Sequence, residues 1–172
     1  MSDLNQPSEF LPVDAEKTTV PSGINVLTIL TFIGCGIGFL GSVWNFFNAK
    51  SGVDKMEAAI NSPNYENMPS IAKKFLTPEA LEAARKTYEN RVPITLIMLI
   101  GIVLCLYGAI QMRKRKMQGY YMYVAGELLP LIANVIFIGL GWLSGIVGII
   151  SICIVLLFIL LYTGQRKYLT VE

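Results

Sequence analysis

Histidine is absent from the 172 residues. That removes the commonest general base, the commonest metal ligand and the usual near-neutral proton switch. Charge is scarce and badly mixed. No charged residue falls between Lys17 and Lys50 or between Arg91 and Arg113, and only Glu127 falls between Lys116 and Arg166. A soluble helix or strand carries charge on its wet face, so these tracts have no wet face. The composition agrees, with 15% charged and 53% hydrophobic residues, against roughly 25% charged in a typical soluble domain. A formal net charge of +2 points to no nucleic-acid partner. The three cysteines, Cys35, Cys105 and Cys153, lie inside apolar tracts and read as small hydrophobes rather than disulfide partners. Catalytic groups are equally wanting. Without histidine no HExxH site exists, Ser144 and Ser151 have no evident base, and no aspartate falls inside an apolar tract. No catalytic, cofactor-binding or metal-ligating set is expected.

What is present is a series of long apolar runs. About 20 apolar residues at 1.5 Å each cover a ~30 Å hydrocarbon core. The pattern predicts an all-α integral membrane four-helix bundle, with a domain over 24–163. Its spans are placed at 24–47, 92–112, 119–140 and 143–162. The tract after Lys116 holds 49 residues, about 74 Å as one helix, so it must turn back. The turn is placed at Gly139-Leu140-Gly141, where glycine permits the necessary backbone angles. Residues 1–23 form a polar tail punctuated by Pro7, Pro12 and Pro21, expected to be disordered, and 164–172 form a second tail. The first apolar tract is too long, and its leader too acidic, for a cleaved signal peptide. Gly34-Cys35 has a lipoprotein-like look, but a retained glycine-rich helix is the preferred reading.

Short-loop Lys and Arg set orientation. Arg113, Lys114, Arg115 and Lys116 lie between the second and third spans, and Arg166 and Lys167 follow the fourth. An even number of spans puts these clusters and both termini on one side, expected to be cytoplasmic. The segment 48–91 holds seven basic residues, as many as the other side, but also six acidic ones. Trp44 and Trp142 then fall at outer ends, and Tyr120, Tyr121, Tyr123, Tyr162 and Tyr168 at inner ends, as interfacial belts would. A bacterial inner membrane is the expected location.

The segment 48–91 reads as a short, partly helical extramembrane cap. A helix is expected to start at Thr77, with Pro78 in its first position and Glu79 in its first turn. Leu81, Ala84 and Tyr88 share one face of it, as do Val53, Met56 and Ile60 in an earlier stretch.

Membrane helices associate through close packing and interhelical hydrogen bonds, so small residues mark their contacts. In the first span Thr28, Thr31, Cys35, Gly38, Ser42 and Asn45 recur at alternating spacings of 3 and 4, and Gly34 and Gly38 form a GxxxG beside them. Gly101, Cys105 and Gly108 continue the pattern in the second span, and Gly141, Ser144, Gly148 and Ser151 in the fourth.

Glu127 is the one charged residue well inside a span. An ionised carboxylate at mid-helix costs about 2.5–3.5 kcal/mol to insert, so it must face the bundle and find a partner or hold a proton. Tyr123 and Asn134 share its side of the helix, and together the three make a candidate intramembrane polar site. Pro130 frees a backbone carbonyl near by. The opposing reading is a hydrogen-bonded packing residue. Arg113–Lys116 are read as a topology anchor, or as a contact for anionic lipid worth about 1 kcal/mol per residue.

The expected function is that of an interaction or accessory subunit, with the lipid bilayer and a membrane-protein partner or a second copy as its partners. The alternative is an oligomeric transporter or channel protomer that uses Glu127 as a proton or cation site. An enzyme acting on lipid ranks last.

Overall fold

A computed structural model describes residues 21–169. Most of the expected N-terminal tail and the final residues 170–172 lie outside that range. The described residues form an all-α bundle without strands. Helix α1 spans Ser22–Ile60, α2 Ser70–Phe75, α3 Pro78–Glu89, α4 Arg91–Arg113, α5 Met117–Phe137, α6 Gly141–Ser144 and α7 Ile146–Gln165. Short 3-10 turns cover Tyr65–Asn67 and Arg166–Tyr168.

Four of these helices, α1, α4, α5 and α7, are long and apolar enough to cross a membrane. Their outsides are apolar too. Only 28, 28, 17 and 17% of their most apolar stretches is buried within the bundle. Ile37, Leu40 and Leu160 are each about two-thirds exposed. A continuous surface of that kind needs an apolar solvent or a partner around it.

The span boundaries shift from those expected. Helix α1 does not stop near Phe47. It runs on unbroken for 39 residues, about 58 Å, nearly twice the thickness of a hydrocarbon core. Nothing in 48–60 breaks it, and Val53 is buried at 9% exposure. Val53, Met56 and Ile60 therefore belong to the projecting end of α1 and not to a separate cap helix. The helix ends ahead of Pro63, whose ring disfavours helical geometry in the residue before it. Helix α3 packs along this projection and is tied to it by Arg85 and Glu57, 2.9 Å apart. It starts where the sequence predicts: Thr77 Oγ1 accepts from the Ala80 N–H at 3.1 Å, with Pro78 in the first turn.

At the far end α5 stops at Phe137, and Gly139 turns the chain with φ +104°. A single turn, α6, intervenes, and α7 starts only at Ile146 after an extended Gly145. The fourth span thus begins three residues later than expected.

The tightest contact is between α4 and α5. Gly101 and Gly108 of α4 meet Gly126 and Gly119 of α5. A methyl added at Gly108 would sit 2.7 Å from the Gly119 carbonyl oxygen and 2.7 Å from the Tyr123 nitrogen. One added at Gly101 would sit 2.9 Å from the Gly126 carbonyl oxygen. That carbonyl is the one Pro130 leaves without its helical N–H partner, and it faces the Gly101 backbone.

The GxxxG of α1 makes no such contact. Nothing lies within 4 Å of an added methyl at Gly34, Gly36 or Gly41, and Gly38 meets only Ile102 Cδ1 at 3.8 Å. Along the α1 seam, Thr28, Thr31 and Ser42 are buried, Cys35 and Gly38 are half-buried, and Asn45 is exposed. In α7, Gly148 is buried and Ser151 half-buried, while Gly141, in α6, is exposed; the side chain of Ser144, also in α6, lies outside the described ones.

The buried core gathers at the end that carries the basic turn. Ile24 and Leu27 of α1, Met112 of α4, Tyr120 and Tyr123 of α5, and Tyr162 of α7 form one cluster, closed by Leu169. Tyr120, Tyr123 and Tyr162 are therefore core residues and not interfacial ones; Tyr121, at 58% exposure, faces outward. Two hydrogen bonds hold their hydroxyls, Tyr162 to Thr31 at 2.8 Å and Tyr120 to Thr163 at 2.8 Å.

Candidate functional site

Glu127 lies ten residues into α5, about 15 Å along the helix and so near its middle. The helix presents it to the bundle because Gly126, beside it, lets α4 approach closely. That approach brings Cys105 within reach. The Cys105 thiol donates to Glu127 Oε1 at 3.8 Å, and the Tyr123 carbonyl lies 3.8 Å from the same sulfur. The Tyr123 side chain, one turn back on α5, lies on the same helix face as the Glu127 carboxyl group. Tyr123 is positioned in turn by Tyr162 of α7, with ring centroids 4.5 Å apart. Tyr162 is held by Thr31 of α1. A polar chain thus runs from Thr31 through the tyrosine pair to the carboxyl group, with members on α1, α5 and α7, and Cys105 joins it from α4.

Beside the carboxyl group is a cavity of about 250 Å³. All four long helices line it: Thr31 and Cys35 from α1, Ile102 and Cys105 from α4, Tyr123, Glu127 and Pro130 from α5, and Phe158 from α7. Among the described residues Glu127 has no cationic partner there. The three ion pairs among the described residues, Lys73–Glu66, Arg85–Glu57 and Lys86–Glu82, all lie in the outer segment. Among the described residues no group of His, Cys, Asp and Glu is arranged to hold a metal ion.

Asn134 is not part of this cluster. It shares the helix face with Glu127 but lies two turns further on. There it lines a second cavity of about 270 Å³ with Ser42, Asn45, Arg91, Thr95 and Ser151. The small-residue seam of α1 divides the same way: Thr31 and Cys35 face the first cavity, Ser42 and Asn45 the second, and Thr28 bonds back to the Asn25 carbonyl at 3.0 Å. Sequence reasoning missed the roles of Tyr162 and Cys105. Tyr162 read as an interfacial residue, and Cys105 as a packing residue only. Nothing in the spacing on one helix reports which residue of another it meets.

The basic turn Arg113–Lys116 joins α4 to α5 and has a backbone role as well as a charge. Arg115 has φ +60°. The Lys116 N–H donates to the Gln111 carbonyl at 3.1 Å, and the Arg115 N–H to that of Met112 at 2.9 Å. This is a Schellman helix end, whose left-handed position is usually glycine. The Arg115 side chain donates to the Tyr168 carbonyl at 3.2 Å, which ties the C-terminal 3-10 turn to the same end of the bundle.

Comparison with known protein families, curated proteins and solved structures finds no match.

Proposed function

We propose that the chain is a four-span membrane protein in which Glu127 is an exchangeable intramembrane proton or cation site, working as the protomer of an oligomeric transporter or channel. One observation carries this reading: the carboxyl group lies at mid-span beside an open cavity and has no cationic partner among the described residues. A purely structural carboxyl would be stabilised by close packing or an ion pair. Empty volume beside it gives a ligand room to arrive and leave. Four spans are few for a carrier, so oligomerisation belongs to the proposal.

The end that carries Ser22, Arg113–Lys116 and Arg166–Lys167 is assigned to the cytoplasm, with a bacterial inner membrane as the working location. The clustering of short basic segments at that end supports the orientation. The test is flux in proteoliposomes of the purified chain, with an internal pH dye and an imposed pH gradient. The unmodified chain is expected to dissipate the gradient, and Glu127→Gln to lose that activity. Gradient loss that survives Glu127→Gln would remove the proposal.

The interaction-subunit reading retains one supporting observation. Gly36 on α1 faces open space and shares one side of the helix with exposed Leu40, Trp44 and Phe47. That face suits a second helix, whether from another copy or from a different protein.

A further inference from the structure

We propose that the cavity beside Glu127 binds a hydrophobic amine, which reaches it sideways between α1 and α7 from the acyl layer. This rests on the reading of Glu127 as an exchanging site and names its ligand class.

The donor set argues against a hard metal cation. Such ions take about six oxygen ligands. The cavity's side-chain oxygens come from one carboxyl group and the hydroxyls of Tyr123 and Thr31, fewer than such an ion takes. An ammonium group needs fewer acceptors, because its own N–H groups direct its bonds to one carboxylate. The rest of the wall suits the organic part of such a ligand: Ile102, Pro130 and Phe158 are apolar, and the Tyr123 ring adds an aromatic face. The result is an apolar chamber with a single acid.

The opening is in the side of the bundle. Of the residues that line the cavity, Leu30 and Gly34 of α1 and Ile154 of α7 are the exposed ones. Leu30 is 45% and Ile154 51% exposed, and a methyl added at Gly34 meets nothing within 4 Å. The Thr31–Tyr162 hydrogen bond closes the gap between α1 and α7 toward the basic end. A ligand from the surrounding acyl layer therefore meets the carboxyl group without crossing the bundle along its axis.

The chemistry balances within the site. An amine partitions into the acyl layer as its neutral base. On arrival it takes the proton of the Glu127 carboxyl onto its nitrogen, leaving a carboxylate paired with an ammonium. The Cys105 S–H donates to that carboxylate. The other titratable groups near it are Cys35 on α1 and Tyr162 on α7, and among the described residues no charged side chain besides Glu127 lines the cavity.

The test uses the full chain in zwitterionic lipid nanodiscs, with dicyclohexylcarbodiimide as a hydrophobic carboxyl reagent and intact-mass readout. 2-Phenylethylamine serves as the ligand probe and 2-phenylethanol as its uncharged counterpart. Glu127 is expected to be labelled and Glu127→Gln not. The amine is expected to slow labelling about tenfold, as a charge-assisted pair predicts, and the alcohol to leave it unchanged. Gly34→Trp, with Gly34→Leu as a smaller replacement, fills the opening and is expected to slow labelling without the amine. Equal protection by amine and alcohol, or unchanged labelling in both Gly34 variants, would overturn the inference. The two readings fail separately. A chain whose pH-gradient flux requires Glu127, but whose labelling the amine does not slow, refutes the amine site alone. Absence of that flux refutes the exchange site itself.

Discussion

Gly108→Ala is the most direct probe of how this bundle is held together. The added methyl would lie 2.7 Å from the Gly119 carbonyl oxygen, 2.7 Å from the Tyr123 nitrogen and 3.0 Å from the Tyr123 Cα. Comfortable contact begins near 3.5 Å, so α4 and α5 must separate by about 0.5–0.8 Å. All three obstacles are backbone atoms, and no rotamer change relieves them. Overpacking of this kind costs about 1–3 kcal/mol, of which alanine's better helix propensity returns less than about 1 kcal/mol. A net loss of about 1–2 kcal/mol is expected. Gly119→Ala creates the reciprocal clash, at 2.6 Å from the Gly108 carbonyl oxygen. Once the helices have parted, the second methyl costs little, so the double variant should fall short of additivity by about 1 kcal/mol. Gly36→Ala and Gly41→Ala are the controls. Their added methyls meet nothing within 4 Å, and they should be neutral or slightly stabilising. The assay is reversible unfolding in mixed micelles by added sodium dodecyl sulfate, followed by circular dichroism. If Gly108→Ala proves as stable as Gly36→Ala, the close approach of α4 and α5 is wrong.

Arg115 occupies a left-handed position at φ +60°, which costs a side-chain-bearing residue about 1–2 kcal/mol relative to glycine. Arg115→Gly is therefore expected to stabilise the bundle by about 1 kcal/mol in the same unfolding assay, less a small loss from the Tyr168 contact. Arg115→Val, β-branched, should destabilise it. In α3, the Lys86 ammonium, 2.7 Å from Glu82 one turn away, holds the Glu82 carboxyl below its ordinary range. A lowered folded-state value stabilises the fold at neutral pH and is lost as pH falls through that value. Amide protection in α3 should therefore decline on acidification, and Glu82→Gln should flatten that part of the profile. An unchanged slope in the variant would reject the assignment. The pair is exposed, so the effect is small and weakens with salt.

Much of the architecture was legible because solvent preference is a local property. Each apolar run was long enough to span, and the 49-residue tract had to turn back. Thr77-Pro78-Glu79 marked the start of α3 because capping depends only on neighbours within one turn. The end of α1 was not legible. Residues 48–60 are helix-compatible but polar, and they continue the helix with α3 packed alongside, where Arg85 meets Glu57. The meeting glycines were only half legible. Gly101 and Gly108 belong to a run of small residues at helical spacing, whereas Gly119 and Gly126, seven residues apart and so on one face, have no small residue between them at the intervening turn to mark the seam. The GxxxG of α1 was misleading, since a glycine facing outward has the same spacing as one in contact.

The sequence by itself determined where apolar solvent is required and where charge is forbidden, and it singled out Glu127 as the exception. Those conclusions follow from transfer free energies, which each segment carries with it. Tertiary structure alone decided what Glu127 meets. Cys105 and Tyr162 reach its surroundings from other helices, whereas Asn134, on its own helix face, opens onto a different cavity. Helix spacing fixes the direction in which a side chain points, but the rotation and separation of the helices fix what lies there.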